Sequence, residues 1–405
     1  MSDPTQNAIE FELESCKLDF ARNVFQNKLD TYPMSETNNL RTIGPRIRAA
    51  RQAMRWTQAR LSEALGFNDR QTLSDIENGK RMVKPQELVT ISECLQRDID
   101  YFLDPFSVAG EAKYNWRAAP EVPSSTLDSF ESQADRWIGL LRWLHQQHKP
   151  PSPLKLNLRL GANASFEQAQ ACAQALVVAL ELGHTPAIGL ANAIQSKLDI
   201  DILFVDTISA QPRFGISGAT CHLPDMTVIL INRQEPVCRQ YFDMAHELFH
   251  ALTWDAMEPA HRESNRIEQR KGSKRIEQLA DNFAAALLMP QSSLEHLIKT
   301  NQRSNLAHLT RAAKALQVAP SALAWRLFNL SWIDAKTLQL LKAQPNKSSQ
   351  RSMPKRFSDQ YMTMLYEAID QGRLSARKAC KTLGMSLPEL KTLFKEHALP
   401  VPFEI

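Results

Sequence analysis

The sequence predicts a mainly α-helical protein with a small antiparallel β-sheet, an α+β class with an N-terminal helical bundle and a second, larger domain. Three observations support this prediction. Apolar residues recur at helical spacing through most of the chain, three short β-branched runs lie close together between residues 200 and 232, and a helix rich in histidine follows them directly.

The length and composition are those of globular domains. The chain has 405 residues, of which 43% are hydrophobic and 23% are charged, and this is sufficient for two or three domains. No apolar run approaches the length of a membrane span, and Met1–Thr5 lacks the basic start of a signal peptide. The six cysteines are scattered without a C-x-x-C pair, which indicates neither a disulfide framework nor a cysteine zinc site. We expect a cytoplasmic protein with no membrane partner.

Changes in composition divide the chain into five expected parts. They are an N-terminal extension (1–39), a helix-turn-helix domain (40–105), a connector with a helical segment (106–164), a domain around a histidine motif (165–335) and a C-terminal helical region that resembles a helix-turn-helix (336–405). Within the third part, we expect Phe106–Arg117 to be a connector and Pro120–Ser125 to be a linker.

The middle of the chain predicts helices and then strands. Phe130–Gln147 carries an apolar stripe that we interpret as a core face, and Ser165 is a candidate N-cap for the helix Phe166–Glu181. Three strand-like runs follow, at Ile200–Val205, Arg213–Ala219 and Met226–Asn232. Two interpretations of this sheet stand side by side: one edge is available to pair with an extended peptide, or the sheet serves only as core.

The segment between Arg41 and Glu87 predicts a helix-turn-helix. Thr57 offers an N-cap for a short helix that begins at Gln58, and Gly66 ends that helix before a third helix starts at Asp69 or Arg70. The segment contains ten Lys or Arg and five acidic residues, a surplus of +5 in a chain whose total is only +4. A local excess of positive charge of this kind indicates a phosphate-binding surface.

The most specific motif is His246-Glu247-Leu248-Phe249-His250. In a helix, His246 and His250 lie one turn apart on the same face, so both rings can bind one zinc ion, with Glu247 beside them as a general base. A later Ala- and Leu-rich helix carries Glu277, which we predict to be the third ligand. Asp281 lies one turn further along and could fix the tautomer of a ligating histidine, although a solvated acid is the alternative.

The two blocks 239–250 and 277–290, the latter in the form E-x-x-A-D-x-F-A-A-x-L-L-M-P, resemble the ImmA/IrrE-type metallopeptidases, a gluzincin-like family. In that family, the two histidines and the later glutamate bind zinc and the intervening glutamate activates water. The resemblance therefore implies His246, His250 and Glu277 as ligands and Glu247 as the base. Phe249 stands where glycine is common in the family, and we expect it to narrow the space behind the motif helix.

The segments 58–66 and 71–81 resemble the Xre (Cro/C1-type) DNA-binding family. The resemblance implies that Gln58 contacts phosphate and that Arg70, Gln71 and Ser74 read bases, although the turn is one residue longer than usual. We also expect Arg51 on the preceding basic helix to contact phosphate.

A weaker pattern of the same kind lies near the C-terminus. Residues 375–390 again place a small residue, Cys380, before a glycine turn and an inward leucine. A helical hairpin that packs on the preceding domain explains this pattern, and direct contact with DNA is the alternative.

We therefore expect a DNA-binding transcriptional regulator of bacterial or phage type with a zinc-dependent metallopeptidase domain. Zinc would polarise the peptide carbonyl while Glu247 takes the proton of the attacking water, and Tyr241, His222 and His261 are candidates to complete the oxyanion site. The metallopeptidase resemblance implies a protein substrate, such as a repressor or antitoxin.

Other classes remain open at this point. A regulator whose zinc domain senses a metal or ligand without proteolysis fits the same motifs, and so does an antitoxin-like DNA-binding module. In each case we expect a homodimer on a double-stranded DNA operator, because one Xre module reads only a half-site.

Overall fold

A computed structural model describes residues 43–148, 158, 160–207, 215–262, 271–346 and 353–404. Within these ranges there are seventeen α-helices and one four-stranded sheet, so the predicted helical α+β class is confirmed. None of the described helices is long and apolar enough to cross a membrane. The predicted N-terminal extension lies outside the described residues, as do the first two residues of the predicted strand Arg213–Ala219.

Five helices form the N-terminal unit: α1 (Ile43–Ala53), α2 (Gln58–Ala64), α3 (Arg70–Glu77), α4 (Pro85–Leu95) and α5 (Ile99–Leu103). The predicted cap of α2 is confirmed, because Thr57 Oγ1 accepts from the Arg60 amide at 3.1 Å. Asp69 is the cap of α3, where its side chain accepts from the Thr72 amide at 2.7 Å. Gly66 ends α2 with φ +67°, a conformation that favours glycine. Apolar side chains from all five helices form one core, which includes Ile47, Leu61, Leu73, Ile91 and Phe102.

A strand lies where the sequence predicts a connector. Lys113–Ala118 forms β1, so the prediction of a connector over Phe106–Arg117 is wrong for its second half. Tyr114, Trp116 and Ala118 face one core, and the strand is held by antiparallel pairing with residues 216–222. A pairing partner so distant in sequence cannot be read from the local pattern of six residues.

The sheet has the order β1-β3-β4-β2, with β2 at Asp201–Val205, β3 at Ile216–His222 and β4 at Thr227–Asn232. β3 pairs antiparallel with both β1 and β4, but β2 pairs parallel with β4. The predicted antiparallel sheet is therefore a mixed sheet. Only β3 runs opposite to the other three strands, and β2 lies beside β4 and not beside β3, so β2 and β4 pair in parallel. Adjacency of strands is a tertiary property that local sequence does not determine.

Helices cover both faces of this sheet. One face packs against α6 (Ser124–His148) and forms what we call the first core. The α6 stripe of Trp137, Leu140, Leu141 and Leu144 is fully buried in this core, as predicted. The second core, on the opposite face, contains α7 (Phe166–Ala179), α8 (Pro186–Lys197), α9 (Val237–Thr253) and α10 (Lys271–Leu288). β4 is buried at every position, as expected for a strand between two helical layers.

The remaining helices divide between the two cores. The second core takes α11 (Gln291–Leu297), α12 (Leu306–Ala315), α13 (Pro320–Asn329) and α14 (Ala335–Lys342), with a 3₁₀ turn at Thr300–Gln302. The first core contains residues of α15 (Asp359–Asp370), α16 (Ala376–Leu383) and α17 (Leu387–Glu396). Cys380 and Leu390 are buried, and Trp137 Nε1 donates to the Leu383 carbonyl at 3.2 Å. This packing agrees with the helical-hairpin interpretation of the C-terminal pattern.

The N-terminal unit packs directly on the rest of the molecule. A Cβ on Gly139 of α6 would lie 1.8 Å from the Phe106 carbonyl oxygen, so this close approach requires glycine. Arg46 of α1 is 2% exposed and donates to the carbonyls of Phe102 and Ser107. The end of α5 is therefore fixed to both α1 and α6, and only nine residues separate it from β1.

Candidate functional site

The centre of the site lies on α9, where the two motif histidines meet. His246 and His250 are 1% and 0% exposed, and their Nε2 atoms lie 3.1 Å apart. The i and i+4 spacing places both rings on one helical face, as the sequence predicts. Because both rings are buried, their orientations are fixed by the surrounding core.

The packing of α10 against α9 brings Glu277 to the same point. Its Oε2 atom lies 3.2 Å from His246 Nε2 and 3.5 Å from His250 Nε2. Behind the motif, Phe249 is fully buried and packs on Phe283 of α10 with ring centroids 5.4 Å apart. The phenylalanine that departs from the family pattern is therefore part of the contact between the two helices.

These three side chains fit a zinc ion. Their ligand atoms all lie within 4.8 Å of one another, with separations of 3.1, 3.2 and 3.5 Å. A tetrahedral zinc ion with bonds of about 2.0–2.1 Å separates its ligand atoms by about 3.3–3.4 Å, close to the observed spacing. Burial raises the pKa of the Glu277 carboxyl, but the charges and hydrogen bonds of His250 and His246 outweigh it and hold that pKa well below its ordinary value. The carboxylate is thus kept in the anionic form that a metal ligand requires.

Asp281 lies where the sequence places it, beside the ring nitrogen that faces away from Glu277. Its Oδ1 atom is 2.9 Å from His246 Nδ1. A proton on Nδ1 leaves Nε2 as the basic nitrogen, so this contact selects the tautomer of His246 that can bind metal. The side chain of Asp281 is 52% exposed, in contrast to the buried ring that it contacts.

Glu247 is fully buried and faces the sheet. Thr220 Oγ1 on β3 lies 2.8 Å from Glu247 Oε2 and 2.9 Å from its main-chain oxygen. Gly218 on the same strand allows the close approach of β4, because a Cβ there would lie 2.9 Å from the Leu230 carbonyl oxygen. The same Cβ would make only an ordinary contact with Glu247 Cγ, at 3.6 Å. Thr220 was missed by sequence reasoning, because it lies one residue beyond the predicted strand Arg213–Ala219 and belongs to β3 only in the structure.

Two further charged residues near the centre were also missed. Asp243 of α9 is fully buried. Its Oδ1 atom lies 3.1 Å from Arg117 Nε of β1, and its Oδ2 atom lies 2.9 Å from Arg239 Nε of α9. Arg117 Nη2 also lies 3.7 Å from Asp281 Oδ1. Arg117 belongs to the segment that was predicted to be a connector, so its position depends entirely on β1 joining the sheet.

A cavity of about 1120 Å³ reaches two of the three predicted ligands, His246 and Glu277, whereas His250 and Glu247 do not line it. Its lining includes His246, Glu277 and Asp281, the end of β1 from Arg117 to Ala119, and Trp325 of α13, which is 48% exposed. β1 is an edge strand of the sheet, and among the described residues its outer edge is paired with a neighbouring segment at one point, where the Trp116 amide donates to the His261 carbonyl at 2.9 Å. The cavity is thus bordered by both the candidate metal centre and the end of an edge strand.

The three candidates for the oxyanion site lie elsewhere among the described residues. Tyr241 packs against the second core, His222 stacks on Trp254, and His261 Nε2 lies 2.7 Å from Glu131 Oε2. None of these three histidine or tyrosine side chains lines the cavity. That contact with Glu131 raises the pKa of His261.

The predicted base-reading residues lie at the start of α3. Arg70 and Gln71 are exposed, and Ser74 is half-buried one turn later. Gln58 at the start of α2 is half-buried and links the two helices, because its amide oxygen accepts from Arg70 Nε at 3.2 Å. Gln71 in turn donates to Asp75 Oδ1 at 2.8 Å, so both exposed residues at the start of α3 have partners within the helix-turn-helix.

Arg51 does not lie on that surface. It is 8% exposed and donates to both carboxylate oxygens of Glu77 at 2.6 and 2.9 Å, and to the Trp56 carbonyl. Its charge is therefore neutralised inside the unit, which does not fit the expected phosphate contact. Glu77, on α3, is a buried acid, and an arginine on the packed face of α1 satisfies it.

Comparisons with known proteins match two separate stretches of the chain. Residues 47–102 match the family model described as helix-turn-helix, and residues 197–328 match the one described as IrrE N-terminal-like domain. The first stretch extends from α1 into α5, and the second contains β2, α9, α10 and Trp325. The edge strand β1, with Arg117, lies outside both stretches.

Among solved structures, the apo form of the competence regulator ComR from Streptococcus vestibularis aligns with 90% of this chain and 100% of its own, at 12% identity and a TM-score of 0.16. Similarity at this level carries no structural argument. No curated protein sequence is significantly similar to this chain.

Proposed function

We propose that this chain, in which an Xre-type helix-turn-helix module precedes an ImmA/IrrE-like domain, is a DNA-binding regulator that hydrolyses a peptide bond in a protein substrate. The observation that carries the proposal is the convergence of His246, His250 and Glu277 beside a buried Glu247. A purely structural cluster has no need of a fourth polar group, held by its own hydrogen bond, next to three ligand-type atoms.

His246, His250 and Glu277 would hold the metal. Bound zinc supplies a Lewis acid that polarises a substrate carbonyl and makes water more acidic. The two histidines contribute neutral nitrogens and Glu277 contributes a negative charge, which is the His₂Glu set of a catalytic zinc site with one position left for water or substrate.

Glu247 acts as the general base in this proposal. The Glu247 carboxylate, held by Thr220, would accept the proton when water attacks the peptide carbonyl. The same proton then passes to the leaving amide nitrogen as the C–N bond breaks. A buried carboxylate with a fixed orientation suits this transfer, because it does not have to be reorganised during the reaction.

The substrate is proposed to be an extended segment of a protein. The cavity of about 1120 Å³ exceeds the requirement of a single side chain and borders the end of the edge strand β1 at Arg117–Ala119. Main-chain pairing with a sheet edge gives affinity that is independent of sequence, and side-chain pockets add specificity. The family resemblance makes a repressor or antitoxin the first class of protein to test.

The helix-turn-helix module is proposed to bind a double-stranded DNA operator as a homodimer. Arg70 and Gln71 are exposed at the start of α3, the position from which a recognition helix contacts base edges. Each module reads one half-site, so a palindromic operator requires two chains.

A second candidate function is a regulator that senses a ligand through the metal domain without cleaving a protein. The packing of the N-terminal unit on α6 favours it, because Gly139 and Phe106 are in direct contact and a change in the larger domain can reach the DNA-binding unit. The same cavity would then hold an effector and not a peptide.

The variant Glu247→Gln separates the two functions, because it removes proton transfer while leaving the three ligands in place. Reporter output from the regulated promoter should lose its response to the inducing condition in Glu247→Gln, and a cleaved partner protein should disappear from immunoblots. Zinc content and operator affinity of the purified variant serve as controls. A normal response without any cleaved partner would exclude hydrolysis and leave the sensing function.

A further inference from the structure

Arg117 connects the edge of the sheet to the metal centre. Its Nε atom lies 3.1 Å from Asp243 Oδ1 on α9, and its Nη2 atom lies 3.7 Å from Asp281 Oδ1 on α10. The arginine side chain is 15% exposed and Asp243 is 1% exposed, so the contact with α9 is well shielded from water. One guanidinium group therefore contacts both helices that carry the predicted zinc ligands, while its backbone belongs to β1.

Asp281 needs such a restraint. Its carboxylate contacts His246 Nδ1 at 2.9 Å, but its side chain is 52% exposed, so water competes for the same oxygen atoms. Arg117 Nη2 approaches the same Oδ1 atom that contacts His246, and a positive charge beside that oxygen restricts the rotamers of the carboxylate and keeps Oδ1 near the ring. Arginine suits this task because its planar, always charged fork reaches two acids at once.

We infer that Arg117 is a positioning residue for the metal centre: it holds Asp281 against His246 and fixes β1 to the ligand-bearing helix α9. This inference rests on the proposed zinc site but not on peptide hydrolysis. Loss of Arg117 leaves the three ligands in place and removes the support of one ligand. Removal of the direct partner of a ligand, here Asp281, weakens metal binding by about 10–100-fold. Arg117 acts one contact further out, so its loss should have an effect near the lower end of that range.

Arg239 provides a matched control within the same cluster. It contacts the other oxygen of Asp243 at 2.9 Å and also approaches Glu235 at 3.4 Å, but no contact joins it to Asp281 within the described residues. Substitution of either arginine removes one partner of the buried Asp243. Only the substitution of Arg117 also removes the support of Asp281.

The experiment compares zinc dissociation constants of full-length wild type, Arg117→Gln, Arg117→Lys and Arg239→Gln by competition with a zinc chelator. We expect affinity to fall about tenfold in Arg117→Gln and no more than about threefold in Arg239→Gln. Arg117→Lys should recover part of the loss, because it keeps the charge without the planar fork. Melting temperatures of the zinc-free proteins report the shared effect on Asp243, which should be similar for the two glutamine variants.

The His246 Nδ1 proton gives a second measurement that general destabilisation would not move selectively. Its NMR resonance should be protected from exchange by Asp281 in the wild type and in Arg239→Gln, and should broaden in Arg117→Gln. Equal zinc affinities in the two glutamine variants would overturn the role of Arg117. Absence of zinc binding in the wild type would instead overturn the proposed metal site, so the two failures are distinguishable.

Discussion

The candidate metal centre and the helix-turn-helix unit use charged groups in opposite ways. In the metal centre the groups converge in the interior: His250 and Glu247 are fully buried, and Glu277 is 17% exposed. In the DNA-binding unit, Arg70 lies outward on α3, whereas Arg51 turns inward to a buried Glu77. Charge that binds a single ion has to meet at a point, whereas charge that binds a phosphate backbone has to stay on the surface.

This difference shows for which motif residues the spacing in the sequence is enough to predict where the side chain lies. Two histidines four residues apart in a helix meet on one face in any packing of that helix, so their geometry is local. An arginine on a basic helix has no such constraint. Its side chain is long enough to reach either solvent or a buried acid, and the tertiary environment decides between them.

The largest expected effect is on metal occupancy. His246→Ala and Glu277→Gln should reduce bound zinc far below one equivalent per chain, because each removes one of three ligands, whereas Glu247→Gln should retain it. Elemental analysis of the purified proteins measures this directly. Zinc lost in Glu247→Gln and kept in Glu277→Gln would reverse the assignment of ligand and base.

The next effect distinguishes stability from DNA affinity. Arg51→Ala leaves Glu77 as a buried acid without its closest cation, and this should destabilise the N-terminal unit by about 3–5 kcal/mol. Arg60→Ala is the control, since Arg60 is exposed over the Trp56 ring and should contribute less than about 1 kcal/mol. Thermal and urea unfolding followed by circular dichroism gives both values. If Arg51→Ala kept its stability and weakened binding to all DNA sequences alike, Arg51 would be a phosphate contact after all.

The smallest expected effect concerns base reading. Arg70→Ala and Gln71→Ala should each weaken operator binding by about 1–3 kcal/mol and relax the preference for the operator over unrelated DNA. Neither residue is part of the core, so unfolding temperatures should change little. Gel shifts at two salt concentrations separate base contacts from phosphate contacts. Unchanged binding in the double variant would place the recognition helix elsewhere, with α16 and α17 the next region to test.

Much of the local structure was accessible from the sequence. Thr57, Gly66 and Ser165 mark helix ends as predicted, and the stripe on α6 is buried as predicted. These signals arise from hydrogen bonds and apolar spacing within one or two turns of helix. The predicted ligands also depend on spacing within α9, with the addition of one acid from a neighbouring helix.

The surroundings of those residues were determined only by the tertiary structure. The strand β1, the parallel pairing of β2 with β4, the contact of Thr220 with Glu247 and the inward turn of Arg51 all join segments that are distant in sequence. The sequence by itself determined the two motifs and the helices that carry them, because a helix closes its hydrogen bonds locally. A sheet and a buried ion pair have partners that only the folded chain supplies, and so Arg117 could be recognised only once β1 lay at the edge of the sheet.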